Sequence, residues 1–501
     1  MERTVVDAAR FQANSQLDPV RKAELGQFMT SAATSTFMAG LFSPPTGPVR
    51  LLDAGAGVGS LAAAFIDRFP RADIHAEVWE VDPVMRRYLA KTLAGYRAQH
   101  PNIHSTIFET DFIHDAVRNL KLGKGTRFTH AIQNPPYAKI NSKSEHRLWL
   151  REVGVETVNL YTAFVALTIL LMESQGEIVA IIPRSFCNGT YYRPFRELLL
   201  RHCAIRQLHL FESRRKTFKD DEVLQENIII HLVKHGQQGV VTVTTSHGPK
   251  FDDLQRQDYP FTEIVKPGDP ERFIHVPSPA EKAPRTTSCL FSKTLTEIGL
   301  EVRTGPVVDF RLKQTTRQHM ENDTVPLLYP HHFQQGKLIW PKEHKKPNAI
   351  VMSPESERWL MPAGWYVIVK RFSSKEEKRR IVSYIVGPGE LPGKMIGFEN
   401  HWNVFHIRKE GLDPIVARGL TVFLNSTVID DHFRVFSGHT QVNATDLRNM
   451  KYPTIGELRD LGKLAGRGHL TQVAIDALIE KLENNSGDEE SKNCGGTGCP
   501  S

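Results

Sequence analysis

Between residues 18 and 240 the chain repeats one pattern: a short apolar run rich in β-branched residues, then a stretch whose apolar residues recur at helical spacing. Val49–Asp53, His75–Glu80, Ser105–Glu109, Thr129–Gln133, Glu177–Ile182, Ile205–Phe211 and Asn227–Val233 read as strands. Leu61–Phe69, Val84–Tyr96, Thr162–Glu173 and Tyr192–Arg201 read as helices between them. Each crossover must run over a face of the sheet. The pattern therefore predicts an α/β fold built on a largely parallel, doubly wound sheet. The runs Ile205–Phe211, Asn227–Val233 and Val240–Thr244 leave no room for intervening helices and predict an antiparallel edge.

A chain of 501 residues holds more than this one sheet. Residues 1–247 are expected to form the first domain and 248–289, rich in Pro, Asp and charge, a linker. Residues 290–485 are expected to form a second domain, and 486–501 a disordered tail. The net charge of +7 suits a polyanionic partner without demanding one. Cys187, Cys203, Cys289, Cys494 and Cys499 form no CxxC pair and no metal-ligand spacing, so reduced thiols, a cytoplasmic setting and no metal are expected. The charged N-terminus lacks a signal-peptide core. The most apolar run, Ala163–Met172, is about half the length that crosses a bilayer, so no membrane is expected.

The strand ending at Asp53 runs into Gly55–Ala56–Gly57–Val58–Gly59–Ser60. Glycines let the backbone turn sharply and approach a ligand with no Cβ in the way. The spacing is GxGxG, not the GxGxxG that cradles a pyrophosphate, which points to a nucleoside ligand without phosphates. Glu80 ends the next strand, where an acid reaches ribose hydroxyls in nucleotide-binding α/β folds. Asp111, in Thr110–Asp111–Phe112, is placed to accept from an adenine amino group. Taken otherwise, these are a tight turn and three solvated loop acids. Their position at the ends of three successive strands, where such sheets bind ligands, favours the ligand site. Asp53, Gly55, Gly57, Glu80, Asp111 and Phe112 are the candidate contacts.

The sharpest signal is Asn134–Pro135–Pro136–Tyr137, directly after the strand Thr129–Gln133. Two prolines fix the backbone and remove amide donors, leaving carbonyls that face outward. An exocyclic amine is a weak nucleophile because its lone pair is delocalised into the ring. The Asn134 oxygen and the Pro135 carbonyl are candidates to accept its two N–H bonds and draw the nitrogen toward tetrahedral geometry. Tyr137 is the candidate platform for the base, a stack worth roughly 1–3 kcal/mol. The plainer reading is a rigid turn with an Asn cap.

In this order the elements resemble the gamma-class amino-methyltransferases of restriction–modification systems, and over most of the chain the adenine methylases of the PstI/BsuBI type. The resemblance implies a Rossmann-like S-adenosyl-L-methionine-dependent methyltransferase domain with a C-terminal mixed α/β target-recognition domain. It implies methyl transfer to N6 of adenine in double-stranded DNA, with CTGCAG as the implied site, and a cognate restriction endonuclease as functional partner in a prokaryotic cytoplasm. Asn134 opens the motif where cytosine-N4 enzymes of this kind usually carry Ser. Gly26–Gln27–Phe28–Met29–Thr30 resembles the segment that closes over the methionine end of the cofactor, which makes Phe28 and Thr30 candidate contacts. Phe218, in Phe218–Asn227, resembles the later aromatic that packs on the other face of the flipped base.

A base inside a duplex must be flipped out before it reacts, and finding the site needs a surface beyond the catalytic domain. The region after 290 offers His331–His332–Phe333, Trp340–Pro341–Lys342 with Lys345 and Lys346, and Lys370–Arg371–Phe372 with Lys375, Lys378, Arg379 and Arg380. Basic groups of this kind supply phosphate contacts and base readout. Phe436–Ser437–Gly438–His439–Thr440–Gln441 resembles the Ser-Gly-x-Thr-Gln segment of target-recognition domains and reads equally well as a helix-capping connection. Two alternatives stay open at this point. Protein-glutamine methylases also carry Asn-Pro-Pro-Tyr, so a methyltransferase acting on a protein glutamine or an RNA amine is one, and a catalytically idle DNA-binding specificity module that kept the same fold is the other.

Overall fold

The computed structural model describes residues 3–16, 29–123, 127–141, 143–211, 227–277, 291–312, 314–334, 336–373, 377, 379–436, 441–466, 468 and 470–493. The chain forms two compact units, Met1–Glu281 and Lys282–Ser501.

The first unit is built on strands β1 (Val49–Ala54), β2 (Ile74–Trp79), β3 (Ile103–Phe108), β4 (Phe128–Gln133), β5 (Met172–Pro183), β6 (Cys203–Phe211), β7 (Asn227–Lys234), β8 (Val241–Ser246) and β9 (Gln255–Tyr259). They join in one sheet in the order β3-β2-β1-β4-β5-β7-β6-β8-β9. Its helices are α1 (Arg3–Gln16), α2 (Ala32–Gly40), α3 (Ser60–Arg68), α4 (Pro83–Gln99), α5 (Phe112–Leu122), α6 (Glu145–Glu152), α7 (Leu160–Leu171) and α8 (Arg193–His202). β1 to β5 are parallel, as the alternating pattern predicts. The chain steps outward from β1 to β3, then returns to lay β4 on the other side of β1. That reversal opens a crevice at the carboxyl ends of β1 and β4, where open α/β sheets bind ligands.

Because a strand turns successive side chains to opposite faces, each buried strand feeds two cores. In β5, Ile178, Ala180 and Ile182 join the core formed with α5, α7 and α8, while Val179 and Ile181 join the one formed with α3 and α4. Burying each Ile or Val side chain of this set contributes about 1.5–3 kcal/mol. Helix starts follow local signals. Asp82 accepts from the Val84 and Met85 amides with Pro83 at the first position of α4, and Asp111 accepts from the His114 amide to start α5.

The expected antiparallel edge is present in altered form. β7 slots between β5 and β6 and is antiparallel to both, but β8 runs parallel to β6. The segment 248–289 is not a linker over its described part. β9 pairs with β8 from Thr245↔Gln255 to Val241↔Tyr259, and Ile264, Val265, Ile274 and Val276 are buried in the first unit's core. β9 is an edge strand with exposed side chains, so its composition reads as loop.

In the second unit one antiparallel sheet runs Glu301–Thr304, Trp402–His406, Tyr366–Lys370, Ser383–Val386, and a mixed sheet contains Thr324–Leu328 beside Met395–Phe398. Helices Pro414–Leu424 and Ile455–Ala465 pack almost backbone to backbone. A Cβ on Gly419 would lie 1.8 Å from the Leu458 carbonyl oxygen, and one on Gly462 would lie 1.9 Å from that of Ile415. The helix Gln472–Asn493 extends past residue 485, the expected end of the second domain. Among the described residues no helix is long and apolar enough to cross a membrane.

Candidate active site

The crevice between β1 and β4 is a cleft with about 1050 Å³ of atom-free space, open to solvent. Its floor is the turn after β1, where Gly55, Gly57 and Gly59 have φ of 79°, 58° and 88°, a region that side chains with a Cβ avoid. Gly55 also faces the Asn134–Tyr137 motif, since a Cβ there would lie 3.7 Å from Pro136 Cδ. Thr30, Gly55, Gly57, Glu80, Asp111, Phe112 and Asn134 all line this one cleft.

Glu80 is buried at 5% exposure, with Oε2 accepting from the Gly57 amide and Oε1 from the Asp82 amide, both at 2.8 Å. It thus ties the glycine turn to the start of α4. Burial raises its pKa, and the two amides offset that only in part. Each carboxylate oxygen retains a lone pair for a ligand hydroxyl. Asp111 has one oxygen on the His114 amide (3.0 Å) and the other on His146 Nε2 (2.9 Å). Burial would raise this carboxyl, but the His146 and His114 bonds outweigh it and hold it below its ordinary value. Phe112 and Phe164 form an apolar wall, with ring centroids 5.0 Å apart.

Asn134 stands at the end of β4 with its amide fixed on two sides. Nδ2 donates to Thr30 Oγ1, and Oδ1 accepts from the Tyr137 hydroxyl, each at 3.0 Å. Tyr137 also donates to the Ile181 carbonyl at 3.3 Å. Pro135 is buried behind Asn134 and Pro136 lines the cleft.

Three expected contacts, Asp53, Tyr137 and the buried Pro135, do not line the open cleft. Asp53 is fully buried behind the glycine turn and does not line the cleft. It lies within β1, on the face turned toward α3, so strand alternation points it away from the opening. Neither oxygen has a hydrogen bond of good geometry. Burial pushes its pKa up to about 8, the Ala62 amide at the start of α3 pulls back only part of that, and the Glu80 charge adds to it. Tyr137, expected as a stacking platform, is only 8% exposed, with its ring edge-on to Tyr161 at 6.2 Å. Phe28 and Phe218 lie outside the described residues.

Sequence reasoning missed His146 and Phe164, both of which line the cleft. Phe164 belongs to an apolar helix that reads as core throughout, and His146 stands among charged residues that read as a solvated face. In the second unit several basic or aromatic residues expected to face DNA are structural. His332 is buried, accepting from the Tyr329 amide and bonded to Asn348. Arg380 is buried, Lys342 donates to the His331 carbonyl, and Lys346 pairs with Asp309. Lys345 and Phe372 are exposed. Lys375, Lys378 and Ser437–Thr440 lie outside the described residues.

The Eco57I restriction-modification methylase family matches residues 84–218. The chain is 48% identical to the type II methyltransferase M.BsuBI of Bacillus subtilis over 491 residues, covering 95% of this chain and 97% of the relative. It is 42% identical to the type II methyltransferase M.PstI of Providencia stuartii over 488 residues, covering 95% and 96%. Among solved structures, the DrdV–DNA complex aligns with a TM-score of 0.55 at 10% identity, over 92% of this chain and 59% of that one, a likeness of fold alone. With close relatives matched end to end, and with the glycine turn and the Asn-Pro-Pro-Tyr motif facing one cleft, the chain belongs to the type II methyltransferases of restriction–modification systems.

Proposed function

We propose that this enzyme transfers a methyl group from S-adenosylmethionine to N6 of adenine in duplex DNA, within the palindrome CTGCAG, in the bacterial cytoplasm. The methylated DNA is thereby protected from a cognate endonuclease. The observation that carries the reading is that Glu80 and Asn134, the nucleoside acid and the amine acceptor, line the same cleft. The donor set fits the cofactor. Glu80 offers lone pairs to ribose hydroxyls, Phe112 and Phe164 flank a flat ring, Asp111 meets an amino group, and Thr30 stands at the polar end.

Bound there, S-adenosylmethionine supplies an electrophilic methyl on a sulfonium, with a neutral leaving group. Asn134 Oδ1 and the Pro135 carbonyl accept the amine's two N–H bonds and aim its lone pair into the cleft. The Tyr137 hydroxyl holds Oδ1 by donating to it, which fixes the direction in which this oxygen faces. The Thr30 bond to Nδ2 keeps the amide from turning its NH₂ toward the substrate. The part of Tyr137 that this geometry supports is therefore its hold on Asn134. Transfer is then in-line displacement helped by positioning, and the amine proton leaves to solvent. The second unit is the proposed target-recognition domain, with exposed groups such as Lys345 and Phe372 on its surface.

The test is to express the chain with a plasmid carrying CTGCAG, challenge the plasmid with an endonuclease that cuts there, and map N6-methyladenine by sequencing. Protection with methyladenine in the palindrome is expected. Methylation of another motif would remove the proposed site alone, and methylated cytosine or none would overturn the adenine assignment.

A further inference from the structure

We propose that His146 is a positioning residue for the cofactor, holding the Asp111 carboxylate in the orientation that meets the adenine amino group. The inference rests on the reading of Asp111 as an adenine contact and adds to it a residue that neither motif contains. Asp111 caps α5 through Oδ1, which accepts from the His114 amide, with the Ile113 amide adding to the hold. His146 Nε2 stands 2.9 Å from the second oxygen, and the two side chains are 33% and 41% exposed at the cleft. Fixing both oxygens leaves one set of lone pairs directed into the opening. The His146 ring is itself held edge-on against Trp149 on the same helix, with centroids 5.6 Å apart and planes at 64°. Trp149 meets His114 of α5 in the same manner at 5.0 Å, so α5 and α6 also touch beside the Asp111–His146 contact.

The placement has a further meaning for the reaction. α6 is the next helix after the Asn134–Tyr137 loop, and the segment just after that loop is tied down by the Ile140 amide on the Val158 carbonyl and the Leu160 amide on the Ala138 carbonyl. His146 therefore joins the segment carrying the reacting-base motif to the acid at the adenine end of the cleft. A positioning residue acts on binding of the cofactor and leaves the chemical step untouched once the cofactor saturates.

The experiment is a double-mutant cycle on the full chain, with S-adenosylmethionine binding measured by calorimetry and methyl transfer measured at limiting and saturating cofactor. His146→Ala should raise Kd and cofactor KM about fivefold to tenfold, the loss of one charge-assisted hydrogen bond, with kcat unchanged. His146→Gln, which retains a donor, should recover most of the affinity, and the two variants together separate a lost bond from a fold defect. In an Asp111→Ala background, His146→Ala should have no further effect. If Asp111→Ala alone leaves binding unchanged, the adenine assignment of Asp111 fails and the role of His146 falls with it. If Asp111→Ala weakens binding but His146→Ala does not, the cofactor reading stands and the proposal is overturned. An equal loss in both backgrounds would also overturn it, because His146 would then act without Asp111.

Discussion

Asp53 carries a prediction that can be worked through from its surroundings. Its carboxyl is completely buried with no hydrogen bond of good geometry, and burial pushes it from 3.8 to about 8. The folded value lies above the unfolded one, so the acid contributes most favourably below about pH 4, and stability is lost as the pH rises toward about 8. Each unit is about 1.36 kcal/mol, which puts the penalty near 4 kcal/mol at pH 7. Asn has the same shape and carries no charge, although its buried amide is no better bonded than the protonated acid. The cofactor-free Asp53→Asn chain should therefore be more stable than the parent by about 2–4 kcal/mol at pH 7, with little difference at pH 4. Each kcal/mol moves a thermal midpoint about 2–4 °C in a unit of this size. Melting both proteins from pH 4 to 8.5 and subtracting removes every group the two share. A difference that stays flat across that range would refute the argument and show that Asp53 titrates as an ordinary, solvated acid.

Asn134→Ala should lower methyl transfer by about a hundredfold to a thousandfold or more, with cofactor and DNA binding retained, because it removes an acceptor aimed at the reacting amine; near-normal turnover would take Asn134 out of the mechanism. Glu80→Ala should weaken cofactor binding at least tenfold and also lower stability by about 1–3 kcal/mol, since the Gly57 and Asp82 amides lose their acceptor; calorimetry and urea melts read the two effects separately. Gly462→Ala should destabilise the second unit by about 2–3 kcal/mol, because the new methyl would strike the Ile415 carbonyl and force the helices apart; an unchanged unfolding midpoint would contradict that packing. A chain ended after Glu281 should still bind S-adenosylmethionine but lose site-selective methylation, and selective methylation by the shortened chain would deny the second unit its recognition role.

What was legible in the sequence was local. The glycine turn, Glu80 and Asn134 each follow a strand directly and Asp111 comes three residues after one, so identity and spacing alone place them at the carboxyl edge. Asp53 misled because it stands inside β1, where one residue of register decides between cleft and core. β9 was hidden because an edge strand needs few apolar residues when neighbours bury little of it. His146 and Phe164 come from helices after β4, and only three-dimensional folding brings them to Asp111 and Phe112. The second unit misled for another reason. Its basic residues include several whose charge is spent inside the fold, such as Arg380, and composition cannot separate these from exposed ones.

The return of the chain to β1 also sets the order in which the enzyme comes alive. Thr30 and Asn134, joined by a hydrogen bond, are 104 residues apart, and β1 meets β2 long before it meets β4. During synthesis at about 5–20 residues per second, the glycine turn leaves the ribosome seconds before the strand that completes the opposite wall. Only when β4 docks are Glu80 and Asn134 brought to one opening, and closing so long a loop is among the slower events in folding. A partly made chain therefore has no site at which to spend cofactor or mark DNA.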